Sequence, residues 1–292
     1  MRGYRLTTKG KVILIIFVML LSIPCTSLLR GTVAASDNTE YYRINDVKNL
    51  SYVVHASRLS LYGVVTSYSA IKAEVEEAAK AEESIPSAMV EDIKTYGENK
   101  TAFLTFDDGP SEHVTMQVLD ILDTYNVKAT FFVLGSMCEK NGNVLKEIYA
   151  RKHSIGIHSY SHIFSKLYKN EESFINEVKM TEAVLKKNLG EDFSTRLFRF
   201  PGGSFEPYKN KYMGALNEAG YVSIDWNSLT GDTEVKSPTH EKLLERLKST
   251  VIGKNNVVVL MHDSDSRQCS AEVLPDVIEY LRSEGYEFAV VK

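Results

Sequence analysis

Two adjacent carboxylates, Asp107 and Asp108, follow an apolar run at 102–106 and precede a Gly-Pro turn. A carboxylate removed from water is costly unless a cation or hydrogen-bond donors compensate it, and two adjacent carboxylates repel each other. The pair is therefore either an exposed turn or part of a site that holds a cation and transfers a proton. One carboxylate can bind the cation while the other accepts a proton from water, and spacing does not decide which does which.

Two histidines, His158 and His162, lie four residues apart in the stretch HSYSH. On a helical turn they would share one face and could bind one ion together. Two imidazoles and one carboxylate, with positions left open for water, are a common catalytic ligand set for zinc and similar divalent ions. The stretch therefore predicts part of a metal site, and two surface histidines are the alternative.

Further candidates end later apolar runs. Arg199 precedes the Pro-Gly-Gly segment at 201–203, and a guanidinium there can lower the pKa of a neighbouring carboxyl group. His262 ends the run VVLMH and can act as a general acid if a carboxylate fixes its tautomer. Both Asp232 and Asp225 are candidates for that carboxylate.

From residue 100 onward, short apolar runs alternate with helix-like segments, and near-continuous apolar strands of this kind are typical of parallel strands covered by helices. The predicted strands are 102–106, 128–134, 154–159, 196–200, 221–226, 256–262 and 286–291. The clearest predicted helices are 113–126, 172–190, 238–251 and 272–285. No GxGxxG follows a strand, so we predict an α/β fold, a distorted or incomplete (β/α) barrel of about seven parallel strands. The carboxyl ends of such strands share one face, where the candidate residues would meet.

The N-terminal part contains an uncharged apolar segment, 12–29, after Lys9 and Lys11. Its length is close to that needed to cross a bilayer, with the basic side cytoplasmic. We therefore expect an uncleaved signal anchor in preference to a cleaved signal peptide, whose apolar core would be shorter. A lipoprotein signal would use Cys25, but Pro24 fits that poorly. All three interpretations place the following chain outside the cytoplasm, and it would be secreted if the segment were cleaved.

Three regions are predicted on this basis. Residues 1–30 form a cytoplasmic basic stub with the signal anchor, and 31–99 form an extracytoplasmic spacer or linker that is partly helical, with a helix at 70–84. Residues 100–292 form the catalytic domain. The cell membrane is the expected location, with a single-pass anchor.

Charge and cysteine usage narrow the function further. Residues 1–30 contain five basic residues and no acidic one, so the rest of the chain has 38 acidic against 29 basic residues. Such an acidic body is a poor candidate for binding nucleic acid, and no protein partner is indicated.

Cys138 and Cys269 are expected to be two buried thiols, with a disulfide as the alternative.

Five motifs in order across 100–292, TFDDG, HSxSH, RFPGG, WxxxxxD and LMHD, resemble those of the polysaccharide deacetylases of carbohydrate esterase family 4. The resemblance implies a distorted (β/α) barrel and one divalent metal ion, Zn²⁺ or alternatively Co²⁺. It implies the following roles: metal ligands Asp108, His158 and His162; catalytic base Asp107, tethered by Arg199; catalytic acid His262, oriented by Asp232; and substrate or oxyanion contacts from Pro201, Gly202, Gly203 and Leu260.

The implied activity is metal-dependent hydrolysis of N-acetyl groups from an extracellular polysaccharide, with release of acetate. Because the chain is predicted to be exported, peptidoglycan N-acetylglucosamine is the expected substrate. Chito-oligosaccharide or another wall or capsule polymer is the first alternative. A catalytically inactive carbohydrate-binding homologue is the second, although every ligand and the acid are present.

Two positions depart from the motifs of this family. Gly202 stands where many members have an aromatic residue, and Thr233 follows Asp232 where many have tryptophan. The only tryptophan is Trp226, earlier in the chain. Both departures predict missing walls of the sugar groove, which affects substrate preference more than catalysis.

Overall fold

The computed structural model describes residues 99–292 without a gap. Before them it describes only residues 90 and 93 and the short segments 33–36, 39–44, 52–54 and 87–88. The chain divides into two compact units, Met1–Ser84 and Ile85–Lys292. The predicted signal anchor at 12–29 and the predicted helix at 70–84 lie outside the described residues. Within the described residues, no helix is both long enough and apolar enough to cross a membrane.

The first unit contains a three-stranded antiparallel sheet. Its strands are β1 (Val33–Ser36), β2 (Thr39–Ile44) and β3 (Tyr52–Val54), with β2 in the centre. Tyr42 pairs with Val33 on one side and with Val54 on the other. The sequence prediction of a partly helical spacer missed these strands, although aromatic and β-branched residues favour them.

The second unit is built on eight parallel strands. They are β5 (Thr101–Asp107), β6 (Thr130–Val133), β7 (Ser154–Ile157), β8 (Leu197–Phe198), β9 (Val222–Ser223), β10 (Ser228–Leu229), β11 (Asn256–His262) and β12 (Glu287–Phe288). Seven follow the order β10-β11-β5-β6-β7-β8-β9, and β12 pairs with the start of β5. Because β9 and β10 lie at the two ends of this order, the sheet is an incomplete parallel barrel, as predicted. Of these eight strands, only the two-residue β10 was not predicted from the sequence.

One more parallel pair joins the two ends of this unit. It is formed by β4 (Ser87–Ala88) and β13 (Val290–Val291). Ile93 is 6% exposed and packs into the interior of the barrel. Residues ahead of 100 therefore contribute to the second unit, which begins at Ile85.

Eight helices are described in the second unit: α1 (Val114–Thr124), α2 (Gly135–Lys140), α3 (Gly142–Ala150), α4 (Phe164–Leu167), α5 (Glu171–Leu189), α6 (Asn210–Glu218), α7 (His240–Val251) and α8 (Gln268–Ser283). The four predicted helices correspond to α1, α5, α7 and α8. Asn170 and Thr239 cap α5 and α7 by accepting a hydrogen bond from a backbone N–H of the first turn. The shorter helices were missed because they carry too few residues for a periodic pattern.

Strand residues alternate between two hydrophobic clusters. On β5, Phe103 belongs to a small interior cluster, whereas its two neighbours belong to the larger cluster beneath the helices. On β11, Val258 belongs to the interior cluster. Because side chains alternate along a strand, Asp107 shares the side of Phe103, and Leu260 and His262 share the side of Val258. The candidate catalytic residues Asp107 and His262 therefore lie at one end of the barrel interior, on the same side as its apolar cluster.

The two described cysteines are free thiols, so the alternative of a disulfide between them is not found. Cys138 is buried and Cys269 is partly buried. Burial raises the pKa of both thiols, which keeps them protonated at neutral pH.

Candidate active site

The pairing of β5 with β11 brings Asp107 and His262 together. The two strands are parallel along seven residue pairs, and His262 lies opposite Asp107 at their carboxyl ends. Leu260 is buried two residues earlier, opposite Thr105. Sheet register alone therefore juxtaposes the candidate base and the candidate acid.

Asp108, His158 and His162 form a cluster that can hold a metal ion. One donor atom from each lies within 4.8 Å of the other two. Asp108 Oδ1 is 3.7 Å from His158 Nε2 and 3.5 Å from His162 Nε2. Ligands of a tetrahedral zinc ion, bound at 2.0–2.1 Å, are about 3.4 Å apart. Asp108 Oδ1 is buried and takes no hydrogen bond from any described residue. The donor types, their spacing and this unpaired oxygen fit a divalent cation.

His158 is held in the tautomer that leaves Nε2 free. Its Nδ1 lies 2.9 Å from the backbone carbonyl oxygen of Arg199, so Nδ1 carries the proton and donates it. Burial lowers the pKa of His158 to about 3, although Asp108 opposes this shift. The ring is therefore neutral near pH 7, which is the form of imidazole that binds metals.

The segment 158–162 is an irregular loop, so the two histidines do not lie on the helical turn that would have put them on one face. Ser159 and His162 have φ angles of 90° and 55°, which a right-handed helix does not allow. Glu177 of α5 explains the loop, because its carboxylate accepts the backbone N–H groups of Tyr160 and Ser161 at 3.0 and 2.7 Å. The sequence missed Glu177, since nothing in the pattern of α5 separates it from that helix's surface carboxylates.

The turn after Asp108 is braced by Asp263. Ser111 Oγ donates to the Asp263 carbonyl oxygen at 2.6 Å, and Thr115 Oγ1 donates to the carboxylate at 2.6 Å. A Cβ atom at Gly109 would lie 2.3 Å from the Asp263 carboxylate, so only glycine fits there. Burial raises the pKa of Asp263 to about 7, against the hydrogen bond from Thr115. The LMHD motif contained Asp263, but its supporting role was not predicted.

Arg199 fills the barrel interior beneath the base. It is fully buried, its Nη1 donates to Asp107 Oδ1 at 2.9 Å and to Thr105 Oγ1 at 2.7 Å, and its Cζ lies 4.1 Å from the Phe132 ring centroid. The second oxygen, Asp107 Oδ2, lies 3.7 Å from His158 Nε2. Burial raises the pKa of Asp107, and the nearby positive charges only partly offset this. Arg199 therefore fixes one oxygen of the Asp107 carboxylate, while the other faces the cluster of Asp108, His158 and His162.

Asp232, not Asp225, contacts His262. Asp232 Oδ1 lies 2.9 Å from His262 Nδ1, and Oδ2 accepts the His262 backbone N–H at 2.7 Å. Ser270 of α8, which the sequence missed, donates to Oδ2 at 2.5 Å. Burial disfavours a charged imidazole, but the hydrogen bond and the charge of Asp232 outweigh it and raise the pKa of His262 to about 9. His262 is thus protonated near pH 7.

The Pro-Gly-Gly segment presents one free backbone N–H. Pro201 has none, Gly203 N donates to a backbone carbonyl at 2.8 Å, and Ser204 N donates to the Asp225 carboxylate at 3.0 Å. Gly202 is exposed, and no acceptor in the described part of the chain takes its N–H. Of the residues predicted to contact the oxyanion in this segment, only Gly202 therefore offers an unbonded backbone N–H.

Aromatic rings from other positions stand beside this segment. The Phe164 ring lies 3.3 Å from the Cβ position of Gly202 and 5.6 Å, between centroids, from the His162 ring. Phe205 and Trp226 form an edge-to-face pair at 5.3 Å, and Phe205 is 62% exposed. Aromatic rings therefore lie beside the segment in which the family's aromatic residue is missing, and the predicted loss of groove walls stays a prediction. The roles assigned to the site residues stay predictions.

An incomplete parallel barrel with an Asp-His-His cluster next to a buried Asp-Arg pair is an arrangement suited to metal-assisted hydrolysis. Residues 94–224 match the sequence profile of the polysaccharide deacetylases. The chain is 32% identical over 194 residues to a peptidoglycan-N-acetylglucosamine deacetylase of Bacillus cereus, which covers 65% of this chain and 69% of that relative.

Solved structures agree with the sequence comparison. A Streptococcus mutans carbohydrate esterase of family 4 is similar with a TM-score of 0.66 and 33% identity, over 71% of this chain and 92% of that one. The catalytic domain of a peptidoglycan N-acetylglucosamine deacetylase from Eubacterium rectale has a TM-score of 0.59 and 32% identity, over 66% and 89% of the two chains. The chain belongs to the carbohydrate esterase family 4 polysaccharide deacetylases, and it is a hydrolase that acts on amide bonds.

Proposed function

We propose that this chain is a metal-dependent N-deacetylase that acts outside the cytoplasm on the N-acetylglucosamine of peptidoglycan. One observation carries the proposal: Asp107 and His262 end neighbouring strands beside the cluster of Asp108, His158 and His162. The name of the Bacillus cereus relative supports the substrate. The apolar segment 12–29 supports export, with a membrane anchor preferred to release.

Asp108, His158 and His162 are the residues that would hold the ion, and zinc is the expected metal with cobalt as the alternative. A divalent cation bound there supplies Lewis acidity towards the acetyl carbonyl oxygen and lowers the pKa of water. The neutral His158 and the unpaired Asp108 oxygen support this assignment.

Asp107 and His262 divide the proton transfers. Asp107 Oδ2 removes a proton from the water whose oxygen attacks the acetyl carbonyl carbon, while Arg199 holds Oδ1 and keeps the carboxylate aimed. Protonated His262, fixed by Asp232, gives a proton to the amine nitrogen as the C–N bond breaks. The Gly202 N–H stabilises the negative charge that develops on the carbonyl oxygen. Acetate and a free glucosamine amine are the products.

The test uses the full chain, stripped with a chelator and reloaded with zinc or cobalt, and measures acetate release from peptidoglycan and from N-acetylglucosamine oligomers. Asp107→Asn and His262→Ala are expected to lose about 10²- to 10⁴-fold in rate. The exposed Asp120→Asn and His240→Ala variants serve as matched controls and should retain activity.

The outcomes separate the alternatives. Faster release from the oligomers than from peptidoglycan would favour the chito-oligosaccharide alternative. Carbohydrate binding without acetate release from either substrate, with metal bound, would favour the inactive carbohydrate-binding homologue and contradict the proposal.

A further inference from the structure

Lys209 is a buried lysine whose role no motif predicts. It is 2% exposed and lies at the end of a short 3₁₀ segment, Pro207–Lys209, ahead of α6. Its Nζ donates to the carbonyl oxygens of Pro201 and Gly203, at 2.9 and 2.5 Å. Within the described residues it forms no ion pair with a carboxylate. Lysine is rarely buried without such a partner, so its place against two carbonyl groups needs a reason.

The Pro201 carbonyl is held by a second donor as well. Tyr168 OH donates to the same oxygen at 2.8 Å. Tyr168 is itself fixed, because Tyr212 OH donates to its carbonyl oxygen at 2.5 Å. Two donors from different elements therefore set the direction of this one carbonyl group.

The direction of the Pro201 carbonyl decides the direction of the Gly202 N–H. Both belong to one planar peptide unit, and in a trans unit the C=O and N–H bonds point in opposite directions. The only cis peptide bond in the described part of the chain is Gly109–Pro110, so the Pro201–Gly202 unit is trans. With its oxygen fixed against Lys209 and Tyr168, the unit presents its N–H on the opposite side, where Gly202 is exposed.

This fixation matters because the segment is intrinsically free to turn. Gly202 and Gly203 have φ angles of 74° and 73°, and glycine populates both signs of φ at little cost. Without donors on the Pro201 carbonyl, the peptide unit would sample other orientations. The Phe164 ring lies 3.3 Å from the Cβ position of Gly202 and 5.6 Å, between centroids, from the His162 ring, so one ring lies beside both this segment and a candidate metal ligand.

We infer that Lys209 is a positioning residue that aims and polarises the Gly202 N–H for the carbonyl oxygen of the substrate. A cation bonded to the carbonyl end of a peptide unit draws electron density from it and makes its N–H a stronger donor. The benefit arises as the carbonyl oxygen becomes negative, so it accelerates the reaction rather than tightening substrate binding. The inference rests on the proposed deacetylase function.

The first test replaces Lys209 by methionine in the full, metal-loaded chain. Lys209→Met keeps an unbranched side chain but removes the charge and the donors. We expect kcat to fall about 10- to 100-fold, somewhat less than the loss of an oxyanion donor itself, with unchanged KM and metal affinity. The matched control is Lys211→Met, because Lys211 is exposed two residues away and should leave kcat unchanged.

A second test separates aiming from mere support of the loop. N-thioacetyl oligomers place a sulfur, which is a weak hydrogen-bond acceptor, where the carbonyl oxygen would be. Lys209→Met is expected to slow acetyl release more than thioacetyl release, whereas a purely supporting lysine would slow both equally. In ¹⁵N-glycine-labelled protein, the Gly202 amide signal should shift in Lys209→Met and stay in place in Lys211→Met.

The outcomes are distinct. A wild-type chain that releases no acetate contradicts the proposed function, and the inference falls with it. An active wild type in which Lys209→Met keeps its kcat overturns the inference alone. Equal losses on the two substrates with an unmoved Gly202 signal also overturn it, because the lysine would then only support the fold.

Discussion

Three residues of the active face other than glycine have positive φ angles: Asp108 at 76°, Ser159 at 90° and His162 at 55°. Such backbone costs about 1–3 kcal/mol per residue and persists only where neighbours over-determine it. Asp263 braces the turn after Asp108, and Glu177 holds the loop that contains Ser159 and His162. Strain concentrated on two of the three candidate ligands indicates that the folded protein sets their positions in advance.

The pH dependence of kcat/KM tests the division of proton transfers. His262 must be protonated to act as an acid, and its pKa is raised to about 9, so activity should fall as the pH rises through about 9. Asp107 must be ionised, and because its pKa is raised, activity should fall on the acid side sooner than for an ordinary aspartate. Asp232→Asn removes the group that raises the His262 pKa and should move the alkaline limb to lower pH.

The control for this profile is Glu279→Gln, because Glu279 bonds to Tyr125 at the surface and makes no contact with Asp232 or His262 among the described residues. Its alkaline limb should match that of the wild type. An Asp232→Asn profile that overlays the wild type would contradict the assignment of His262 as the acid.

The motifs were sufficient to select the candidate catalytic and metal-binding residues and two groups that hold them, Arg199 and Asp232, whose roles stay predictions. Asp107, Asp108 and His262 come at the ends of apolar runs. The sequence alone therefore indicates that their side chains lie at strand ends. Thr105, Glu177 and Ser270 act on residues that are distant in sequence. Lys209 acts on residues eight and six positions earlier, and no local pattern marks it either. The choice between Asp232 and Asp225 likewise required the folded chain.

At the scale of elements, α5 does more than cover the sheet. Its Glu177 reaches the loop after β7 and takes the backbone N–H groups that a helical turn would have paired internally. HSYSH is a loop for this reason, and its two histidines come together without the helical turn that a spacing of four residues would allow. Long periodic helices were predictable, whereas this loop depends on one distant side chain.

Glu177→Gln should weaken metal binding without unfolding α5. The amide keeps the size of the side chain but loses the charge and one of its acceptor oxygens, so the His158–His162 loop loosens. We expect metal affinity to fall about 10- to 100-fold, as for other groups that orient ligands. A competition titration of zinc against a chromophoric chelator measures it, with circular dichroism to follow the helix.

The matched control for this change is Glu172→Gln, in the exposed first turn of the same helix. It should bind zinc like the wild type. Equal zinc affinity in Glu177→Gln and Glu172→Gln would show that the loop holds its shape without Glu177.

At the scale of the whole molecule, the alternation of apolar strands and helices was enough to predict the barrel, because each strand of a parallel sheet is buried on both faces. The antiparallel sheet of the first unit was not predicted, since its strands have only three to six residues and follow no strand–helix alternation. The catalytic domain was predicted to begin at residue 100 and the second unit begins at Ile85, because the two-residue strand β4 is too short to be recognised in the sequence.

Removing the start of the second unit should destabilise the barrel. A chain that begins at residue 99 loses the β4–β13 pair and the buried side chain of Ile93. Compared with a chain that begins at Ile85, its free energy of unfolding should be lower by about 2–5 kcal/mol, the cost of emptying a buried isoleucine site. Urea unfolding of the two chains measures the difference. Equal midpoints would show that residues 85–98 contribute nothing to stability.

The pairing of β4 with β13 has a consequence for how this enzyme can be combined with other polypeptides. Val291 bonds to Thr130 and Ser154, at the amino ends of β6 and β7, whereas Asp107 and His262 stand at the carboxyl ends of their strands. Both junctions of the unit therefore leave from the side remote from the chemistry. A polypeptide fused at either end of this unit would therefore begin opposite the strand ends that carry Asp107 and His262.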